Sequence, residues 1–114
     1  MHKISKELMG ASSIPIILSI LQMGDSYGYQ IMGQLKELSN GRIEWKEGSL
    51  YPVLKKLENA GFIKSYWKIE GSLRPRKYYK ILDKGGKALK REKEDWDLMQ
   101  SIFSKLWSTQ VSST

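Results

Sequence analysis

The segment Glu47–Ile63, EGSLYPVLKKLENAGFI, limits the fold of this chain more than any other. Leu50, Val53, Leu54, Leu57 and Ala60 recur at helical spacing, so one side of a helix is apolar and needs a core. Pro52, Lys55, Lys56 and Asn59 fall on the opposite side, with Ser49 and Tyr51 near the amino end. Pro52 lies near the first turn, where a missing N–H is tolerated best. Gly61 then ends the helix, because glycine enters the left-handed region freely. A short helix that is apolar behind and cationic in front has the shape and charge to enter a DNA major groove.

The elements around it give this helix a context. Ile14, Ile17, Leu18 and Leu21 form a helical stripe that Leu8, Met9 and Ala11 extend towards the amino end. One long helix is expected, bent where Pro15 removes a backbone hydrogen bond. Asp25 and Ser26 offer N-cap chemistry for a second helix with Gly28, Ile31, Leu35 and Leu38 inside and Asn40-Gly41 at its end. Arg42–Trp45 (RIEW) alternates polar and apolar residues and reads as a very short strand. Phe62–Ile69 and Arg76–Leu82 are rich in aromatic and β-branched residues, and flank a basic tip, as in a hairpin. Asp83 could cap a final helix running to about Trp107, after which STQVSST is polar and expected to be disordered.

The fold class expected is mainly α with a small β-hairpin (α+β): a winged helix-turn-helix with an appended helix. Residues 1–82 would form the winged DNA-binding domain, whose amino-terminal helix would also contribute to a dimer, 83–107 the carboxy-terminal dimerisation helix and 108–114 the disordered tail.

Composition narrows the function. Nineteen Lys and Arg against twelve Asp and Glu leave a net charge of +7, which favours an anionic partner. There is no cysteine, and the lone histidine is His2, so thiol chemistry and a metal site are not expected. Nucleophile–base pairs are missing, and Gly85-Gly86 lacks the spacing of a phosphate loop, so no enzyme and no cofactor is expected. No run is apolar enough to span a bilayer and no signal peptide is visible, which makes a cytoplasmic location the expectation.

GDSYGYQI (Gly24–Ile31), GSLYPVLKKLENAGFIKSYW (Gly48–Trp67), RKYYKIL (Arg76–Leu82) and Trp96 come in an order and spacing that resemble the PadR family of bacterial transcriptional regulators. The single carboxy-terminal helix resembles its short subfamily, which includes regulators of multidrug transporters. The resemblance covers nearly the whole chain. It implies a homodimeric repressor that binds an inverted repeat in double-stranded DNA.

Candidate DNA contacts on the third helix are Ser49, Tyr51, Pro52, Lys55, Lys56 and Asn59. Lysines reach phosphates or guanine acceptors, and hydroxyls reach either phosphates or bases. Tyr51 could instead pack against the first turn, and Glu58 would pair with a lysine or cap a neighbour. Tyr27 is placed for a phosphate at a helix amino end, while Tyr29 is expected in the core. On the wing, Arg74, Arg76 and Lys77 around Pro75 suit backbone or minor-groove contact. Tyr79 and Ile81 would face inward, and Tyr78 would pack on Trp67 across the hairpin.

In the final helix Leu89, Trp96 and Phe103 are seven apart, with Met99 and Leu106 at companion heptad positions, which suggests a dimer seam. Glu92 interrupts the companion row. The resemblance further implies a pore between subunits where planar compounds stack on Trp96. Its wall would be Trp96 with Leu89, Met99, Gln100, Pro15, Leu18 and Ser19. Lys93 and Gln100 depart from the drug-binding pattern, and Lys93 would favour a neutral or anionic molecule. Trp96 could equally be interface core. The competing class is a basic RNA- or ribosome-associated winged helix, which would share charge and fold; a third is a winged helix used only for protein contact.

Overall fold

Four helices and three short strands follow one another as α1 (Lys6–Met23), β1 (Ser26–Tyr27), α2 (Gly28–Leu38), α3 (Glu47–Asn59), β2 (Ile63–Lys68), β3 (Arg76–Ile81) and α4 (Asp83–Ser112). This is the order in a computed structural model that describes residues 3–71 and 74–112. Ser5 caps α1, its hydroxyl accepting from the Leu8 N–H at 3.1 Å. The helix runs through Pro15 as one unit. It buries Ile17, Leu18, Ile20 and Leu21, which pack with Ile31, Leu35, Leu50, Leu54 and Leu57 in a single core.

The expected cap at Asp25-Ser26 is replaced by a strand. Ser26 and Tyr27 pair with Tyr79 and Tyr78 of β3, so the sheet has the order β1-β3-β2, antiparallel throughout. Tyr27 becomes the N-cap of α2 and makes no side-chain cap bond. Pairing turns Gly28, Ile31 and Leu35 inward at helical spacing, so Tyr29, about 100° round from Gly28, faces out and is 66% exposed. Its expected place in the core is therefore wrong. Leu38 passes the edge of the core and is also exposed.

The RIEW strand does not form. Residues 42–46 are irregular, and Trp45 is buried by its own packing, with no strand partner. Ser39 holds the turn, its hydroxyl accepting from the Ile43 N–H at 2.9 Å. Helix α3 meets its expected bounds. Its end is a Schellman arrangement, with Gly61 at φ 80°, the Phe62 N–H donating to Leu57 O and the Gly61 N–H to Glu58 O.

Gly85 fixes how α4 begins. A Cβ there would lie 2.1 Å from the Phe62 carbonyl oxygen, so the first turn of α4 packs directly on the α3–β2 junction. Leu89, one turn on, enters the core. The helix then continues to Ser112, past the end expected near Trp107, so residues 108–112 are helical where a disordered tail was expected. The tail's last two residues lie outside the described ones. At 30 residues α4 is about 45 Å long, and the molecule measures 64 × 33 × 21 Å.

Candidate nucleic-acid interface

Burying Leu50, Leu54 and Leu57 leaves Ser49, Pro52, Lys55, Lys56 and Asn59 exposed on α3. Among the described residues neither Lys55 nor Lys56 is in an ion pair, so both ammonium groups are available. Tyr51 is 38% exposed. Its hydroxyl lies against Gly28, where a Cβ would come within 2.1 Å, and burial pushes its pKa up. Gly28 thus admits the tyrosine between α2 and α3. Tyr29 lies nearby, its pKa raised first by a hydrogen bond to the Glu47 carboxylate.

Between these helices and the wing lies a cleft of about 600 Å³ lined by Tyr27, Gly28, Tyr29, Tyr51, Arg74, Pro75, Arg76 and Lys77. It gathers Tyr27, Tyr51 and the three wing cations that sequence placed far apart in the chain. Its walls are aromatic and its rim is basic. The Arg76 guanidinium sits 4.5 Å over the Tyr27 ring, which ties the wing to the amino end of α2.

The two faces of the sheet differ. On the outer face Tyr27, Tyr78 and Tyr66 form a row, Tyr27 meeting Tyr78 edge-on at 5.2 Å and Tyr66 stacking on it at 5.8 Å. Tyr66 donates to Asp25 at 2.6 Å, and Tyr78 donates to Glu70. The Glu70 carboxylate pushes the Tyr78 pKa up to about 12, and the Tyr78 hydroxyl lowers that of Glu70 in return. Trp67, expected to cover Tyr78, stands opposite Lys77 instead. A one-residue step in a strand reverses the face, so Trp67 and Tyr78 point to opposite sides.

On the inner face Tyr79 is buried and Ile81 packs on the core, as expected. Glu58 anchors β2 to α3: its carboxylate accepts from the Ser65 hydroxyl at 2.5 Å and the Ser65 N–H at 3.1 Å. The hydroxyl bond chiefly holds the Glu58 pKa below the ordinary carboxylate value. Sequence reasoning missed these three carboxylate–hydroxyl anchors because each joins residues whose proximity depends on strand register.

Residues 17–91 match the model of the transcriptional regulator PadR-like family. The chain belongs to that family. Family members are transcription regulators, not enzymes, and the winged helix is their DNA-binding fold. The negative transcriptional regulator PadR of Bacillus subtilis is 36% identical over 80 residues, which span 70% of this chain and 42% of that protein. A transcriptional regulator of Clostridium thermocellum superposes with a TM-score of 0.81 at 36% identity, over 90% of this chain and 96% of that one. A PadR family regulator of Clostridium difficile gives a TM-score of 0.74 at 32% identity, over 83% and 97% of the two chains. No described helix is long and apolar enough to cross a membrane.

Away from the basic surface, an apolar groove of about 530 Å³ lies between α1, α2 and α4. Pro15, Ser19, Leu89, Lys93 and Trp96 line it, together with Ile16, Ile20, Met23, Leu35 and Leu38. Leu18 does not: it is fully buried on the core side of α1, one position round from Ser19. Met99 and Gln100 also lie outside the groove lining, further along α4. Lys93 Nζ reaches Gln22 Oε1 at 3.5 Å.

The expected dimer seam divides in two. Leu89 is only 1% exposed and is spent on its own domain, so it offers no surface to a second chain. Trp96, Met99, Phe103 and Leu106 are exposed, and Phe103 stacks on Trp107 at 5.0 Å.

Proposed function

We propose that this PadR-like protein is a homodimeric repressor. In each subunit, Ser49, Tyr51, Pro52, Lys55, Lys56 and Asn59 of α3 would enter a major groove. Tyr27, Arg74, Arg76 and Lys77 would hold the flanking backbone. The reading rests above all on one arrangement: lysines exposed on α3, in no ion pair among the described residues, beside an aromatic cleft with a basic rim. A second copy is supported by the exposed apolar row of α4, and an inverted repeat requires two readers about one helical turn apart. Repression is supported by the name of the Bacillus relative.

A small planar aromatic or hydrophobic ligand would fit the groove beside Trp96 and Pro15, where apolar walls would cover its faces; Lys93 and Asp97 both line it, so their opposite charges together favour a neutral compound. Release of DNA follows if the ligand binds better to a dimer whose readers are wrongly spaced. The decisive experiment titrates the protein into its own promoter fragment at several salt concentrations. With ~6–10 phosphates contacted per dimer, affinity should fall by ~10³–10⁵ between 50 and 200 mM salt. Weak dependence on salt, or equal affinity for structured RNA, would remove the operator-binding assignment.

A further inference from the structure

The rung of the hairpin just outside the core carries an indole that the described residues leave largely uncovered. Ile63 and Tyr79 on the inner face are buried and Ser65 is bonded to Glu58, yet Trp67, next along that face, is 68% exposed. Trp67 stands directly opposite Lys77, which lines the cleft with Tyr51 and Arg74. The Lys77 ammonium leans back over the Tyr79 ring at 5.9 Å, leaving the indole beside it open.

An apolar plane framed by cations suits a partner with both apolar edges and dense negative charge. A purely apolar protein patch would strand Lys77 and Arg74 without water, at a cost in desolvation. The sugar–phosphate backbone of DNA offers both chemistries within one nucleotide. If α3 lies in a major groove, the strand separating it from the neighbouring minor groove passes between α3 and the wing, across the cleft. We infer that Trp67 is a DNA-binding residue of the wing, its indole lying on deoxyribose at the rim of the minor groove while Lys77 meets the adjoining phosphate. This rests on the reading of α3 as the groove-entering helix.

The test measures anisotropy of a labelled random-sequence duplex of about 30 base pairs, long enough for two successive half-sites, across a salt series. Trp67→Ala should bind about tenfold more weakly with an unchanged salt slope, because an apolar contact releases no counterion. Lys77→Ala should lower the slope by about 1 for each subunit bound. Trp67→Phe should stay within about threefold of the parent, since a smaller ring keeps most of the stacking. Wild-type affinity in Trp67→Ala, or a changed slope, overturns the inference. Should Trp67→Ala fail to fold, the duplex must quench tryptophan emission more in the parent than in Trp67→Phe, and equal quenching overturns it. The underlying reading fails separately, through a parent protein without salt-dependent binding or a Lys55→Ala, Lys56→Ala double variant that binds normally; either result takes the Trp67 assignment with it.

Discussion

Helices α3 and α4 leave the same core with opposite surfaces. In α3 the apolar residues Leu50, Leu54 and Leu57 are sealed, and the outside carries Ser49, Lys55, Lys56 and Asn59 beside Tyr51 and Pro52. In α4 the division runs along the axis. Leu89 is sealed, while Trp96, Met99, Phe103 and Leu106 keep between 39% and 57% of their surface exposed. The first helix is complete as folded structure and wants an anionic partner. The distal part of the second leaves apolar surface uncovered, and on the proposed reading a symmetric copy would cover it at matching heptad spacing.

The comparison breaks most visibly at the distal end of α4. Met99→Ser, Phe103→Ser and Leu106→Ser together should weaken a dimer by about 100-fold or more while leaving the winged domain folded. Sedimentation showing the parental species would place the contact between copies elsewhere. On α3, Lys55→Ala with Lys56→Ala should reduce affinity for duplex about tenfold or more and flatten the salt slope, with the melting temperature unmoved. A shifted melting temperature would mean that these lysines serve the fold.

The start of α4 sharpens the contrast between docked and free helix. Gly85→Ala would drive a methyl into the Phe62 carbonyl and should cost about 1–3 kcal/mol. Gly86→Ala meets nothing within 4 Å and should stabilise by up to about 1 kcal/mol through helix propensity. Equal effects in thermal melts would show that α4 is not packed there as described. The smallest effect belongs to Glu58, whose pKa is lowered in the folded protein. A lowered carboxylate pKa stabilises above the unfolded value and loses that benefit as pH falls through the folded one. Glu58→Gln should therefore melt slightly below the parent at neutral pH, by a few tenths of a kcal/mol given solvent screening, with the gap closing as pH falls below the ordinary carboxylate value and through the lowered folded one. A gap independent of pH would assign the loss to packing.

Periodicity made α1, α3 and the start of α4 legible, because each buries a stripe that recurs at helical spacing. The hairpin was legible from its aromatic and β-branched runs. RIEW misled because alternation over four residues matches a strand as well as a loop that tucks in one tryptophan. Ser26-Tyr27 was missed as a strand for the converse reason: two residues carry no period, and only β3 beside them makes them extended. Tyr29 and Leu89 changed sides because burial depends on how a helix is turned against its neighbours, and the linear pattern does not contain that angle.

By itself the sequence determined the winged-helix order, the cationic face of α3 and the heptad row of α4, since each follows from spacing along one element. The tertiary structure alone decided which residues meet. It brought Tyr27, Tyr51 and Arg76 to one cleft, set Trp67 beside Lys77 in place of Tyr78, and moved Leu89 from the seam into the core. Strand register and helix rotation carry that information. A one-residue shift reverses the face of a strand and turns a helix by about 100°, and long-range packing is what fixes both.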